Sequence, residues 1–336
     1  MSVTNPFDFA SLSDQVLRQR KHAWNLEQDF NWARGANASL PLLPLDSDAV
    51  AFPGVSAEQR LVLSQLIGLL VNSTIAEMEN VIEEVKDDGW AKLLKRFPVN
   101  PEMWELGELF FEEEAKHSQM FYRYNEKFAQ ALGIDYADLK QLLPNAFTSP
   151  FIKALKLNAY SGGNAFWWAV ASVEEVSIKL FQQMREHKDS LDPLYYEVHQ
   201  KHMEEEARHH NYAFLMLSLI ESKSHSLKEK LFFKSDLLFS QLAQTGWVMT
   251  EVMKLTRAKK LKSKHPFFEI ISSCLPHFMA LGPTELIRKL FISAPYVSLM
   301  LNTKNHPMTW RVALDQHTLS IPLPEPIEEK LFLHVS

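Results

Sequence analysis

Hydrophobic and polar positions recur with a helical period over most of the chain, and start and stop signals divide it into long helices. Ser56, followed three residues later by Gln59, is the pattern of a capping box and predicts a helix from there to about residue 85. Apolar residues recur along that segment at three- and four-residue intervals, at Ile67, Val71, Ile75, Met78 and Ile82. The stripe indicates that this helix buries one face.

Two further long helices have equally clear boundaries. Asn100 and Pro101 are a cap followed by a first-turn proline, and Gly133 offers a left-handed stop roughly 30 residues later. Asp192 and Pro193 repeat the cap and proline before a helix that runs to about residue 221. With a helix predicted just before Asp192, these segments form two successive helical hairpins.

The other segments complete an all-α prediction. We expect helices at about 14–34, 137–143 and 165–185, a capped helix from Ser226 and Glu229 to about 261, two more from Pro266 and Pro283, and an irregular, proline-rich last 30 residues. No low-complexity linker interrupts the chain. We therefore predict one domain over 1–336, with a bundle at about 56–222, covering helices at about 226–302 and an irregular tail to 336.

The composition supports the all-α fold class and limits the cellular location and the partners to be expected. Only 10 of the 336 residues are glycine, less than half of the usual share of about 7 per cent, which disfavours turn-rich sheets and glycine-rich phosphate loops. A single cysteine, Cys274, excludes an internal disulfide and a multi-cysteine metal site. The net charge is −6, no signal-peptide pattern opens the chain, and no run of about 18 uncharged apolar residues occurs. We expect a soluble, cytoplasmic protein with neither nucleic acid nor membrane as a partner.

A short motif recurs at an offset of 92 residues. Residues 112–117 read Glu-Glu-Glu-Ala-Lys-His and residues 204–209 read Glu-Glu-Glu-Ala-Arg-His, each inside a long predicted helix. Positions i and i+3 share a helix face, so Glu114 with His117 and Glu206 with His209 each present a carboxylate beside an imidazole. Two such pairs from a repeated hairpin are typical of ferritin-like bundles that bind two metal ions.

Such a bundle requires one buried glutamate from the helix before each motif. In the first hairpin the candidates are four glutamates, Glu77, Glu79, Glu83 and Glu84. Glu79 is favoured because isoleucines lie one turn away on both sides. In the second hairpin, neighbours one turn away barely separate Glu174 from Glu175, and we choose Glu175 because it lies level with Glu206 in an antiparallel pair.

The remaining glutamates of the two motifs have other predicted places. Glu112 and Glu204 are expected at the surface, whereas Glu113 and Glu205 are candidates for orienting the ligand histidines.

One more histidine extends the second motif. His202 precedes Glu206 by four residues on the same helix face, which gives His-x-x-x-Glu-x-x-His. His210 is disfavoured because its counterpart in the first repeat is Ser118, and His199 lies one turn farther from the motif. With this string the region from about 56 to 217 resembles the ferritin-like di-iron N-oxygenases typified by p-aminobenzoate N-oxygenase. One departure is Glu113, where that family often has aspartate.

The resemblance implies seven ligands to two iron ions, or to manganese: Glu79, Glu114, His117, Glu175, His202, Glu206 and His209. It implies a di-iron oxygenase that uses O₂ and an external electron donor to oxidise an amine, such as an arylamine, towards hydroxylamine or nitro. It also implies a homodimer. Two alternatives remain open from the residues, C–H hydroxylation or desaturation at the same site and a non-catalytic iron-binding or ferroxidase role.

Overall fold

Helices make up all of the regular structure that is described here. The computed structural model describes residues 9–47, 50–147, 149–221 and 264–280, with scattered helical positions between 235 and 250. Its α-helices are α1 (Phe9–His22), α2 (Ala57–Val85), α3 (Lys92–Leu94), α4 (Pro101–Leu132), α5 (Tyr136–Lys140), α6 (Pro150–Tyr160), α7 (Ala165–Arg185), α8 (Pro193–Glu221) and α9 (Pro266–Ala280). Single turns of 3₁₀-helix lie at Trp32–Arg34 and Lys188–Ser190, and a π-helical turn lies at Lys86–Ala91. The all-α prediction is confirmed.

The four long helices form a bundle of two antiparallel hairpins. α2 packs along α4, α7 packs along α8, and α4 contacts α8 across the bundle. The antiparallel direction of the first hairpin is visible in its bonds, since Asn72 pairs with Asn125 while Asn80, farther along α2, pairs with the earlier residue Tyr122. The bundle interior is the apolar core, and α6 and α9 pack against its outside.

The predicted helix ends of the first hairpin are confirmed. The Ser56 side chain accepts from the backbone N–H of Gln59, whose own side chain accepts from the Ser56 N–H. Asn100 caps α4 with Pro101 in the first turn, and Gly133 ends it with φ of 72°. Local polar chemistry therefore sets the depth at which residues of α2 and α4 meet.

The predicted first helix, about 14–34, is wrong at both ends. α1 starts at Phe9 and stops at His22. Beyond it the side-chain oxygen of Asn25 accepts from the backbone N–H groups of Glu27 and Gln28, and Asp29 accepts from the N–H of Asn25. These local bonds compete with helical ones and turn the chain.

Two short helical segments were not predicted. α6 begins after a cap by Ser149 with a proline in its first turn, the signature used above for α4 and α8. At the end of α2 the π-helical turn continues into α3 and buries Trp90, which is 1% exposed.

The described residues test only some of the predictions for the C-terminal third of the chain. α9 begins at Pro266, as predicted. The capping box at Ser226, the helix from Pro283 and the irregular tail lie outside the described residues, so the division of that region stays a prediction.

One stretch of the bundle is apolar enough in length and composition to cross a membrane. It runs from Ala57 to Leu94, and 83% of its most apolar window is buried inside the protein. Its position as a central helix of the bundle accounts for this composition.

Close helix contact at Gly107 generates a prediction. A Cβ added there would lie 2.1 Å from Cζ2 of Trp90 and 2.5 Å from the Tyr212 hydroxyl oxygen, to which the Trp90 indole N–H donates. Gly107→Ala should lower the free energy of unfolding by about 1–3 kcal/mol even though alanine favours a helix by about 1 kcal/mol. Chemical denaturation measures the change, and the exposed Glu112→Ala on the same helix is the control. Equal stability of the two variants would contradict this packing.

Candidate metal centre

Carboxylates and imidazoles from all four bundle helices meet in the interior. α2 contributes Glu79, α4 contributes Glu114 and His117, α7 contributes Glu174, and α8 contributes His202, Glu206 and His209. Each of these seven side chains is at most 2% exposed. Burying so many ionisable groups together is costly unless they are neutralised or bind metal ions.

The ligand atoms form two groups, each of a size suited to one ion. In one group, atoms of Glu79, His117, His202 and Glu206 all lie within 4.8 Å of one another. In the other, atoms of Glu114, Glu174, Glu206 and His209 do the same. Glu206 belongs to both groups, and Glu114 also groups with both motif histidines. Glu206 could therefore contribute to holding an ion in either group, and Glu114 could hold one beside the motif histidines.

Many of the ligand atoms in the cluster have no hydrogen-bond partner among the described residues. They include Nδ1 of both motif histidines, both carboxylate oxygens of Glu114 and Glu206, and one oxygen each of Glu79 and Glu174. Buried polar atoms in native proteins are nearly always satisfied. Oxygen atoms with imidazole nitrogens form a donor set that suits iron or manganese, so the residues fit a pair of such ions.

On α7 the ligand groups include Glu174 in place of the predicted Glu175. Glu174 belongs to the cluster, whereas Glu175, although buried at 6% exposure, belongs to none of the ligand groups. The physical reason is the helix face. Glu174 lies two turns from both Trp167 and Phe181, whose rings face neighbouring helices of the bundle.

A sequence signal for that choice exists, but at two turns rather than one. Seven residues after Glu174 stands Phe181, which is buried, and seven residues after Glu175 stands Gln182, which is exposed. Two adjacent residues lie at almost the same depth along a helix, so depth does not decide between Glu174 and Glu175. The helix face does decide, because adjacent residues point in different directions.

The two motif histidines are each oriented by a glutamate from the opposite motif. Nε2 of His117 lies 2.7 Å from Oε2 of Glu205, and Nε2 of His209 lies 2.8 Å from Oε2 of Glu113. An ionised carboxylate only accepts, so each ring carries its hydrogen on Nε2 and turns the Nδ1 lone pair towards the cluster. The orienting role predicted for Glu113 and Glu205 therefore fits the structure, with the partners exchanged between the repeats.

Each orienting glutamate is paired with a cation, and Arg208 lies near both of them. Nζ of Lys116 lies 2.8 Å from Glu205, and the Arg208 guanidinium lies 3.4 Å from Glu113. Burial would raise the pKa of Glu205, but hydrogen bonds from His117 and Lys116 lower it to about 2. The carboxylate thus stays ionised at neutral pH, as its role as an acceptor requires.

The cluster strongly perturbs the titration of its own members. Burial raises the pKa of Glu79 to about 7. Burial alone would lower the pKa of His202, but the nearby carboxylates of Glu206 and Glu79 raise it to about 10. Burial, with Glu206 and Glu114 close by, also raises the pKa of Glu174 well above its usual range. Without metal, His202 and Glu174 hold protons at neutral pH, and Glu79 is partly protonated there.

The other candidate histidines and glutamates lie elsewhere. Nε2 of His199 lies 2.9 Å from the side-chain oxygen of Asn72, and the His210 ring packs on Phe214. Glu77 accepts from the Tyr122 hydroxyl and from the backbone N–H of Ala146.

The other candidate glutamates of α2 and the first glutamate of each motif lie at or near the surface. Glu84 pairs with Lys156, and Glu83 is half-buried at the edge of the site. Glu112 is exposed as predicted, whereas Glu204 is half-buried and pairs with Lys201.

Aromatic rings enclose the imidazoles. Phe110 lies edge-on to His209 with ring centroids 4.9 Å apart, and Phe121 lies edge-on to His202 at 4.7 Å. Trp167 of α7 packs on Phe110. These contacts exclude water from the cluster and strengthen electrostatic interactions inside it.

Comparison with known families decides the class of the protein. The family model described as p-aminobenzoate N-oxygenase AurF matches residues 56–238, which is more than half of the chain and includes all four helices of the cluster. The chain belongs to the AurF family. Membership makes this protein a di-iron oxygenase, an oxidoreductase, and confirms the suspected resemblance. No curated protein matches it significantly.

The revised α7 ligand generates a prediction. In a protein of the AurF family we expect Glu174→Gln to lose one of two bound ions, because it removes a charged donor of one ligand group, while Glu175→Gln keeps both. Iron or manganese per chain after reconstitution and desalting is the measurement. Loss of metal from the Glu175 variant but not from the Glu174 variant would restore the original choice.

Metal binding should also depend steeply on pH. His202, with a pKa of about 10, holds a proton that a bound ion must displace, and Glu79, with a pKa of about 7, holds one at lower pH. Raising the pH from 6 to 8 should therefore strengthen binding by roughly tenfold per unit for the His202 proton, and more steeply below pH 7, where Glu79 is still protonated. Titration of the metal-free protein with Mn²⁺ at several pH values measures it. An affinity that does not change over this range would contradict the protonation described.

Proposed function

We propose that this protein is an iron-dependent N-oxygenase that oxidises the amino group of a small aromatic amine towards the hydroxylamine or nitro compound. The observation that carries the proposal is the buried cluster, with its unsatisfied ligand atoms, inside the region matched by the p-aminobenzoate N-oxygenase family. The proposed ligands are Glu79, Glu114, His117, Glu174, His202, Glu206 and His209.

The charge of the cluster supports two divalent ions. Its four carboxylates carry four negative charges when ionised, which two divalent ions balance, and its three histidines ligate as neutral rings. The orienting glutamates leave that balance unchanged because Lys116 and Arg208 neutralise them locally. Oxygen-rich ligation favours iron or manganese over copper(I), which prefers thiolates.

In the proposed reaction one oxygen atom of O₂ forms a bond to the amine nitrogen and the other leaves as water. The first step, from amine to hydroxylamine, consumes two electrons and two protons, which an external electron donor and solvent supply. Bound iron provides the redox chemistry that activates O₂. The protein's own residues hold the ions, fix the histidine tautomers and exclude water.

An aromatic substrate agrees with the rings beside the histidines. Phe110 and Trp167 line the side of His209, and Phe121 lines the side of His202. An amine held between such faces gains offset or edge-on ring contacts.

The test is turnover by the iron-loaded, chemically reduced protein. We expect p-aminobenzoate or aniline to stimulate O₂ consumption and to yield hydroxylamine or nitro products with oxygen from ¹⁸O₂, measured by mass spectrometry. Benzoate, which lacks the amine, is the control substrate. Oxygen on ring carbon would favour a hydroxylase, and O₂ consumption driven by Fe²⁺ alone, with no organic product from any amine, would favour a ferroxidase.

A further inference from the structure

A segment outside the family-matched region reaches the orienting glutamates. Residues 19–24, here called the N-terminal strap, comprise the end of α1 and the start of the following turn. α1 packs against α4 and α8. The strap contacts both glutamates that orient the motif histidines, although these belong to different helices.

At its first residue the strap contacts Glu113. The side-chain amide of Gln19 donates to Oε2 of Glu113 at 2.7 Å, and the same oxygen lies 2.8 Å from Nε2 of His209. Gln19 is only 3% exposed. The buried amide of Gln19 and the ring of His209 both donate to this oxygen of Glu113. The amide therefore helps to fix the position of the oxygen.

At its last residue the strap contacts Glu205 and its cation. The backbone N–H of Trp24 donates to Oε1 of Glu205 at 3.4 Å, and its carbonyl accepts from Nζ of Lys116 at 3.2 Å. The same ammonium lies 3.8 Å from the centroid of the Trp24 ring, which stacks on His117 at 5.5 Å. The indole N–H donates to the Lys201 carbonyl.

We infer that the N-terminal strap is a positioning element for the metal centre, with Gln19 acting on His209 through Glu113 and Trp24 acting on His117 through Glu205. The inference rests on the proposed metal-binding function. It assigns a role in that function to residues before the matched region, which starts at residue 56.

The polar contact of Gln19 is separable from what holds α1 in place. Leu12, Val16 and Trp24 are buried at 2–6% exposure and anchor the segment to the core. Replacing Gln19 by methionine keeps its length and apolar stem and removes the amide group that donates to Glu113. α1 should therefore stay docked while the Glu113 carboxylate loses one of its constraints.

The test measures the affinity and the visible spectrum of Co²⁺ bound to the full-length, metal-free protein. Co²⁺ accepts nitrogen and oxygen ligands, and its absorption reports ligand geometry. We expect Gln19→Met to weaken one of two bound ions by roughly 10-fold, the lower end of the effect for groups that orient metal ligands, and to change the spectrum of that ion.

Gln15→Met is the matched control. Gln15 lies one turn earlier on α1, is half-buried, and undergoes the same chemical change. We expect it to keep wild-type affinity and spectrum, with a thermal midpoint of the metal-free protein close to that of the Gln19 variant. Equal loss of metal in both variants would assign the effect to α1 packing and overturn the positioning role.

A double-mutant cycle tests whether Gln19 acts through Glu113. In a Glu113→Gln background we expect Gln19→Met to cause little further loss of affinity, because the carboxylate through which it acts is gone. Independent, additive losses would overturn the inference.

Trp24→Leu provides a second variant at the other end of the strap. It keeps an apolar side chain but removes the ring that lies over the Lys116 ammonium beside Glu205 and stacks on His117, and we expect weaker binding of the other ion. Wild-type affinity and spectrum in both strap variants would overturn the inference while leaving the metal site in place. Failure of the wild-type protein to bind two Co²⁺ ions would instead refute the proposed site itself.

Discussion

The structure depends on one constraint, which is that four carboxylates lie buried together inside a helical bundle. Such groups are stable there only if they are protonated, paired or bound to cations. The protein stabilises different buried glutamates in different ways. Glu113 and Glu205 are paired with Arg208 and Lys116, whereas the described ion-pair partners of Glu79, Glu114 and Glu206 in the cluster are its histidines.

The duplicated hairpin explains how the constraint is met on both sides of the bundle. Each motif places its second glutamate towards the opposite motif and its third towards the centre, so each repeat orients the other's histidine. Neither hairpin has a complete set of ligands and orienting groups without the other. His202 departs from this symmetry, since it adds a nitrogen on one side only.

The helices that carry the site could be predicted because their boundaries depend on short-range chemistry. The caps at Ser56 and Asn100 and the stop at Gly133 act over three or four residues and are visible in the sequence. The choice between Glu174 and Glu175 depended on which face of α7 meets α4 and α8, and neighbours one turn away do not define that face.

The exchanged glutamate–histidine pairs and the N-terminal strap involve longer separations. Gln19 and Glu113 are 94 residues apart, and Trp24 and Glu205 are 181 apart. No periodic pattern links residues at such distances.

The most direct test of the account is anomalous diffraction at the iron edge from crystals of the iron-loaded protein. The account predicts two peaks between α2, α4, α7 and α8, roughly 3.5–4 Å apart, one beside Glu79, His117 and His202 and the other beside Glu174 and His209. A single peak, or none within this cluster, would contradict it.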